Sequence, residues 1–303
     1  MSGTTRLLMT QKPRVIVVGL VRNCEKSLEK EYLRIVSSCS SLQVVDSFFV
    51  ESDSSDNSVE LLESMSRQYS NLHFKSLGHL TVTIPHRIDR IRFCRNEYVK
   101  YIRALYDEKS LDFVLVADMD GINSALSKSA INSCFKDDNW DAIFSNQLFG
   151  VSDLLALRAG NWVEEDYLVE LERSRIHLRN TPESRNFFKK LVQYYRYDKT
   201  RRSIIYDRMH FLGISKSFVP VNSAFGGIGL YRSWCFFHAD YMNEDLPREC
   251  EHVSFHRNLT AGGARLYINP RFVNSVINTY NVNKIFLIRN LRIWRWNRRK
   301  TLG

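Results

Sequence analysis

The chain has 303 residues, of which 44% are hydrophobic and 25% are charged, and its formal net charge is +10. That length allows one large domain, or two small ones, with a real core, and the proportions are those of an ordinary globular protein. No apolar run reaches the about 18 residues that a transmembrane helix requires, and the first twelve residues lack the apolar centre of a signal peptide.

The cysteines and the charge distribution narrow the class of protein further. Six cysteines are scattered along the chain without any Cys-x-x-Cys pair, which argues against a zinc site and predicts reduced thiols in the cytoplasm. Seven basic residues and no acidic residue lie from Lys284 onward, so most of the net charge is concentrated in this tail. A basic tail predicts an anionic partner, either a lipid surface or a nucleic acid.

Strands and helices alternate through the first half of the chain. The apolar runs 14–21, 44–50, 71–76, 113–116 and 142–145 predict strands, and the stretches 25–37, 59–69, 89–106 and 127–135 predict the helices between them. This rhythm is typical of an α/β protein whose parallel sheet is built with right-handed crossovers.

Charged residues follow several of the predicted strands. In parallel sheets, ligands bind outside the carboxyl ends of the strands, and the charged residues there are Arg22, Glu51, Asp53, Asp118 and Asp120. Residues two apart on an extended chain point to the same side, so Asp118 and Asp120 can face one site. Two such carboxylates suit a divalent cation, because hard cations prefer oxygen ligands. The alternative is an acidic turn.

The second half of the chain departs from this rhythm. Residues 150–217 predict an insertion over the sheet, with helix around 183–195, which either shapes a second substrate pocket or is only structural. Three glycines within 221–232 either bring the backbone close to a ligand or make a tight bend in a strand. The stretch 264–268 predicts a last strand.

Two histidines near the end of this half are spaced four residues apart. His252 and His256 share a face if the segment is helical. One of them can complete an ion site with the distant carboxylates. The reading that we favour on sequence grounds is a satisfied, half-buried histidine pair.

Taken in order, these segments resemble the nucleotide-sugar glycosyltransferases of the GT-A fold. The likeness is greatest to the family-2-like group and extends to the fungal capsule-associated mannosyltransferases. The segment 49–58, Phe-Val-Glu-Ser-Asp-Ser-Ser-Asp-Asn-Ser, is similar to the acidic loop of that family. Cys94-Arg95-Asn96 resembles its Ala-Arg-Asn helix signature, and Asp118-Met-Asp120 resembles its D-x-D motif. Residues 14–147 are covered well by the likeness, and 221–256 loosely.

The resemblance implies a fold and a division of the chain. The fold is α/β: a Rossmann-like, mostly parallel central sheet flanked by helices, with a helical insertion and a basic C-terminal helix. Residues 1–283 would form the glycosyltransferase domain and 284–303 a basic aromatic tail. Within the domain, 14–147 would bind the nucleotide sugar, 150–217 would be the insertion, and 218–283 would contact the acceptor and complete the metal site.

The resemblance also implies a reaction. A sugar would pass from a UDP- or GDP-sugar to a glycan or lipid-linked acceptor in glycan synthesis, and Mn²⁺ or Mg²⁺ would neutralise the leaving diphosphate. The implied metal ligands are Asp118, Asp120 and His252. The implied donor contacts are Gly19, Arg22, Glu51, Asp53, Arg92, Arg95 and Asp118. If the enzyme inverts the anomeric carbon, the candidate bases for the acceptor hydroxyl are Glu251 and then Asp153.

Residues 284–300 interleave bulky apolar side chains with arginine. This composition is typical of a basic amphipathic helix lying on an anionic membrane, which would place the protein at the cytosolic membrane face. A packed terminal helix and nucleic-acid binding through arginine and tryptophan are the alternatives, and we expect no nucleic-acid partner.

Two other functions compete with glycosyl transfer. A nucleotidyltransferase would usually show a Gly- and Lys-rich signature near its N-terminus, which residues 18–23 lack. A non-enzymatic basic protein that binds membranes or nucleic acid should carry positive charge over its whole body, whereas here the charge is concentrated in the tail.

Overall fold

The structure is a computed structural model, and it describes residues 11–180, 187–241 and 249–276. A single sheet forms the centre of this part of the chain. Its strands are β1 Arg14–Val21, β2 Gln43–Glu51, β3 Leu72–Ser76, β4 Phe113–Asp118, β5 Ala142–Gln147, β6 Val219–Val221, β7 Ile228–Arg232 and β8 Leu266–Ser275. Their spatial order is β3-β2-β1-β4-β7-β5-β8-β6.

Helices connect these strands. They are α1 Leu28–Ser38, α2 Ser58–Gln68, α3 Arg87–Leu105, α4 Lys128–Ser133, α5 Tyr167–Asn180, α6 Phe187–Arg202, α7 Trp234–His238 and α8 Glu251–Ala261. The helices predicted from apolar spacing in the first half of the chain are all present, with ends that differ by a few residues.

The strand β1 shows why the sheet is buried on both faces. Successive side chains of a strand point to opposite faces. Ile16 and Val18 therefore enter a core that includes side chains of α3, whereas Val15 and Val17 enter a second core with α1 and α2. All four are fully buried, as the uninterrupted apolar run predicts.

The sheet is mixed rather than purely parallel. β1, β2, β3 and β4 pair in parallel, as do β5 and β8. β7 lies antiparallel between β4 and β5, and β6 lies antiparallel at the edge beside β8. Six of the eight described strands thus share one direction. The predicted α/β class, with a mostly parallel, Rossmann-like sheet flanked by helices, is confirmed, and the antiparallel insertion of β7 is a feature that the sequence rhythm did not predict.

The segment 150–217 contains the helices α5 and α6, and the sequence analysis predicted only the second of them. α5 carries Leu168, Val169 and Ile176 at 45 to 48% exposure, so its apolar residues do not form the buried stripe by which a surface helix is recognised. The predicted helix 183–195 corresponds to α6, although residues 181–186 lie outside the described ranges. The predicted basic tail 284–303 also lies outside them.

Two observations bear on the cysteines and on membranes. All six cysteines are unpaired and buried. Within the described ranges, no helix combines the length and the apolar character that crossing a bilayer demands.

Gly19 lies where two central strands approach each other closely. It lies in β1 opposite Ala117 of β4, and a Cβ at Gly19 would come within 2.3 Å of the Ala117 carbonyl oxygen. The structure therefore gives Gly19 a packing role inside the sheet, and the donor contact implied for it stays a prediction.

Gly19→Ala should lower the free energy of unfolding by about 3 kcal/mol, because overpacking a rigid backbone contact forces the strands apart. Urea unfolding measures the loss. Gly213→Ala is the matched control, since its new Cβ would meet nothing closer than 3.8 Å, and it should stay within about 0.5 kcal/mol of the parent. Equal losses in the two variants would contradict the packing role.

Candidate functional site

The predicted strand-end residues do share one edge of the sheet. In the register of the sheet, Val21 lies opposite Glu51, and Leu20 lies opposite Asp118. The carboxyl ends of β1, β2 and β4 therefore bring the acidic loop after β2 and the D-x-D segment after β4 to one place. This is where an α/β sheet binds its ligands.

Glu51 anchors the acidic loop. Its side chain is buried, and its carboxylate accepts hydrogen bonds from the Ser54 amide at 3.0 Å and the Ser76 hydroxyl at 2.5 Å. These bonds join the loop after β2 to the end of β3. Both carboxylate oxygens thus have protein partners, so Glu51 shapes the loop as well as lying at its start.

Asp53 is held in a left-handed backbone conformation with φ of 57°. Its carboxylate accepts hydrogen bonds from the Thr81 amide at 2.9 Å and from the Thr81 hydroxyl, and it lies 3.4 Å from Arg90 Nε. Burial would raise the pKa of Asp53, but the Thr81 bonds and the charges of Arg90 and Arg22 outweigh it and hold the pKa below its usual value. Arg22 Nε also donates to the Asp53 carbonyl at 3.3 Å.

Asp118 is the last residue of β4 and lies near several other acidic groups. Burial and the charges of Asp120, Asp153 and Glu251 raise its pKa to about 7, against the opposing charge of Arg95. Because 38% of the Asp118 side chain is open to solvent, burial is incomplete, and we attribute the raised pKa mainly to the nearby negative charges. Three neighbouring acids thus disfavour the charged form of Asp118, and Arg95 opposes them.

The loop after Asp118 is fixed by a residue that the sequence did not single out. Asp120 is exposed, and its carboxylate accepts from the Ile122 amide at 3.2 Å. Glu31 of α1 accepts from the amides of Gly121 and Asn123, the latter at 2.7 Å. Burial raises the pKa of Glu31 to about 7, although these two hydrogen bonds oppose the rise. The sequence signal that could have identified Glu31 is its position on the buried stripe of an amphipathic helix.

Arg95 links the D-x-D strand to α8. Its Nε donates to Glu251 Oε1 at 3.1 Å, its Nη1 donates to the Tyr98 hydroxyl at 3.2 Å, and its Nη2 lies 3.6 Å from Asp118 Oδ1. The side chain is only 4% exposed. All three nitrogen atoms thus have protein partners, so the structure gives Arg95 the role of holding two acidic residues together, and we do not assign it to phosphate.

Aromatic rings and a second arginine complete this buried link. The Arg95 guanidinium lies 5.3 Å from the Phe225 ring centroid and 5.6 Å from that of Tyr241, which are cation–π distances. Arg92, one helical turn earlier, is also buried and donates through Nη2 to the Glu249 carbonyl at 2.6 Å. Arg92, which the resemblance implies as a donor contact, is therefore also hydrogen-bonded to the protein.

Asp153 joins the same acidic set through the glycine-rich bend. Its carboxylate accepts from the Gly226 amide at 3.1 Å and the Ala156 amide at 3.3 Å. Burial and the charge of Glu251 raise its pKa, while those two amides oppose the rise. The structure thus brings both candidate bases, which lie far apart in the sequence, into one electrostatic neighbourhood.

The glycines of the 221–232 segment make a bend that packs against the protein itself. Gly226 and Gly227 both have positive φ, and Cβ atoms there would lie 2.8 Å from Ser145 Oγ and 2.5 Å from Ile122 Cγ2. The Gly227 carbonyl accepts from the Asp118 amide at 2.8 Å. Of the two sequence interpretations, the structure supports the tight bend, and this bend supports the D-x-D segment.

His256 has hydrogen-bond partners on both ring nitrogens but is fully buried, whereas the sequence analysis favoured a satisfied, half-buried pair. The Ser223 hydroxyl donates to the Ala156 carbonyl at 2.6 Å and therefore accepts from His256 Nδ1, which lies 2.8 Å away. His256 Nε2 must then accept from the Tyr231 hydroxyl at 2.9 Å. Burial and the charge of Arg95 lower the pKa of His256 to about 3, so the ring is neutral.

His252 has a different environment. Its ring stacks on Phe225 with centroids 3.9 Å apart and is 2% exposed, and neither ring nitrogen has a hydrogen-bond partner within the described part of the chain. Nε2 lies 3.8 Å from Glu251 Oε1. Burial and the charge of Arg95 hold the pKa of His252 well below its usual value.

The described side chains do not form a three-ligand metal site, but two of the carboxylates suit a cation that also binds substrate phosphates. Among the described residues, no group of three or more His, Cys, Asp or Glu side chains lies close enough together to hold a metal ion. The predicted three-ligand set of Asp118, Asp120 and His252 is therefore not assembled, because the His252 ring is stacked in the core. Mg²⁺ is usually held by one or two carboxylates, substrate phosphates and water, and Asp118 and Asp120 in their acidic surroundings suit that arrangement.

Comparisons with known proteins give structural neighbours only. No family model and no curated protein matches the chain. One similar structure is the mannosyltransferase PcManGT from Pyrobaculum calidifontis in complex with GDP-Man and Mn²⁺, with 12% identity and a TM-score of 0.45 over 91% of this chain and 61% of that one. Another is S. aureus TarS 1–349, with 12% identity and a TM-score of 0.44 over 84% of this chain and 57% of that one.

A third similar structure is glucosyl-3-phosphoglycerate synthase from Mycobacterium tuberculosis in complex with UDP, with 10% identity and a TM-score of 0.38. The match covers 90% of this chain and 75% of that one. The chain thus spans less than two thirds of the first two neighbours. Similarity at these identities does not extend to activity, which has to be argued from the residues of this chain.

Arg95→Leu should lower the free energy of unfolding by about 3–5 kcal/mol, because it leaves Glu251 buried without its cation. Chemical unfolding of the variant measures the change. Arg67→Leu, which removes an exposed arginine from α2, should change stability by about 0.5 kcal/mol or less. If Arg95→Leu proves no more costly than this control, the buried link does not hold the site together.

Proposed function

We propose that the chain is a metal-dependent glycosyltransferase that moves a sugar from a nucleotide-sugar donor to a glycan or lipid-linked acceptor. The observation that carries the proposal is the link through Arg95. It joins Asp118 of the D-x-D segment to Glu251 at the start of α8. A group suited to the leaving diphosphate and a group suited to activating a hydroxyl thereby lie beside one guanidinium.

The donor would bind along the carboxyl ends of β1, β2 and β4. Arg22, Glu51 and Asp53 border the loop that would contact the nucleoside, and Thr81 and Arg90 keep that loop in shape. Asp118 and Asp120 would hold Mn²⁺ or Mg²⁺ together with the donor diphosphate. When bound, such an ion acts as a Lewis acid and neutralises the charge that develops on the leaving group.

The acceptor would be activated by a carboxylate. In an inverting reaction, the base takes the proton of the acceptor hydroxyl while the hydroxyl oxygen bonds to the anomeric carbon and the bond from that carbon to the diphosphate breaks. Glu251 Oε1 accepts from Arg95, whereas among the described residues Oε2 has only the weak donor Cys250 Sγ at 3.6 Å. Both oxygens of Asp153 accept backbone amides. We therefore rank Glu251 above Asp153.

Membrane attachment, cellular location and the identity of the donor nucleotide rest on the sequence alone. The attachment to an anionic membrane through 284–300 and the cytoplasmic location are proposals, because the tail lies outside the described residues. The donor nucleotide, UDP or GDP, is likewise a proposal.

Asp120→Asn should abolish the part of nucleotide binding that depends on metal. A ligand that binds the folded state raises its apparent stability by mass action, so UDP or GDP with Mn²⁺ should raise the Tm of the parent protein more than either component alone. The variant should lose this joint effect and keep its unliganded Tm, because Asp120 is exposed.

Asp138→Asn serves as the control for that thermal-shift experiment, since it neutralises an exposed aspartate on a different loop. It should respond to Mn²⁺ and nucleotide as the parent does. A full joint effect in Asp120→Asn would exclude Asp120 as a ligand.

Glu251→Gln should reduce turnover by about 10²–10⁴-fold, which is the usual contribution of a general base. Nucleotide binding should change little, because glutamine keeps an oxygen for Arg95. Release of UDP or GDP from a panel of nucleotide sugars measures turnover, and titration calorimetry measures binding. Glu249→Gln is the control, because it changes a neighbouring acid that is paired with Arg257. Parental turnover in Glu251→Gln would show that Glu251 is not the base.

A further inference from the structure

The helix α1 buries a carboxylate among apolar residues. Leu28, Tyr32 and Ile35 form its buried stripe, and Glu31 lies on the same stripe with 3% exposure. Burying a carboxylate is costly unless its oxygens are hydrogen-bonded. Here the partners are two backbone amides of one short loop, those of Gly121 and Asn123.

Two side chains, one immediately before α1 and one in its first turn, hold the peptide planes on both sides of Asp120. The Met119 carbonyl, which belongs to the peptide plane before Asp120, accepts from the Ser27 hydroxyl at 2.8 Å. The Gly121 amide, which belongs to the plane after Asp120, donates to Glu31. The orientation of the two flanking planes fixes the φ and ψ of a residue. One turn of helix thus determines where the Asp120 side chain leaves the backbone.

The same loop passes this constraint to Asp118. Asn123, whose amide donates to Glu31, also donates from Nδ2 to the Asp118 carbonyl at 2.8 Å. Asn274 in turn donates to Asn123 Oδ1 at 2.9 Å. Both carboxylate-bearing residues of the D-x-D segment are therefore held by hydrogen bonds that begin on α1 and β8.

We propose that Glu31 is a positioning residue for the cation site, acting with Ser27 to hold the backbone of Asp120 in its binding orientation. This inference rests on the proposed function, because it assigns Glu31 to the D-x-D site of that reaction. Groups that orient metal ligands through hydrogen bonds typically contribute about 10–100-fold to metal affinity.

The chemistry of the pair explains why a carboxylate is needed. Two amide donors point at the two oxygens of Glu31, and a carboxylate offers acceptors on both. A glutamine of the same size would accept from one amide and turn its own NH₂ group against the other. Glu31→Gln therefore preserves volume while breaking half of the contact, and Ser27→Ala breaks only the bond to the Met119 carbonyl.

Two measurements on the full-length variants test the proposal. Deuterium exchange over residues 119–125 should speed up by about tenfold in Glu31→Gln, because a charge-assisted hydrogen bond is lost. Mn²⁺ affinity in the presence of UDP or GDP, measured by electron paramagnetic resonance, should fall by about tenfold or more. Ser27→Ala should show smaller changes in the same direction, and Glu63→Gln, an exposed acid of α2, should show neither.

The outcomes separate this inference from the proposed function. If the parent protein binds no Mn²⁺ with either nucleotide, the proposed function fails, and the role of Glu31 at a cation site fails with it. If the parent binds Mn²⁺ and Glu31→Gln binds it equally well, only the positioning role is overturned. Should Glu31→Gln not fold, Ser27→Ala decides: unchanged exchange at 119–125 and unchanged Mn²⁺ affinity in that variant would overturn the proposal.

Discussion

The structure depends on a guanidinium buried among carboxylates. Taking Arg95 out of water is costly, and the cost is offset only if its donors are all paired in good geometry. Tyr98, Glu251 and Asp118 provide that pairing, and the rings of Phe225 and Tyr241 cover the guanidinium. Because these partners come from α3, β4, α8 and the segments around β7, the two halves of the chain must pack in one arrangement.

One buried cation does not balance the acids that surround it. Asp118 interacts through like charge with Asp120, Asp153 and Glu251, and Asp153 interacts in the same way with Glu251. Such a cluster is unfavourable for the protein alone, and proteins commonly keep an unfavourable cluster where function requires it. A divalent ion bound with a diphosphate would relieve the repulsion between Asp118 and Asp120. The cluster is thus consistent with the metal and diphosphate site that we propose at this edge of the sheet.

Sequence patterns predicted the local features of this site but not its long-range contacts. Apolar runs identified β1, β2 and β4, and the rule for strand ends then placed Glu51, Asp53 and Asp118 together. The antiparallel direction of β7 could not be predicted, because the residue pattern of a five-residue strand does not indicate whether it pairs in parallel or antiparallel. Likewise, nothing near Arg95 indicates that its partner is Glu251. Periodicity reports which face of an element is buried, whereas partners depend on packing between distant segments.

The two histidines of α8 show the same limit. Their spacing places both on one buried face, yet Ser223 and Tyr231 satisfy the ring of His256, while the ring of His252 stacks on Phe225. A protonated His252 would add a second cation beside Arg95, and burial together with that neighbouring charge keeps the ring neutral. His252 therefore supplies no positive charge to offset Asp118, Asp153 and Glu251.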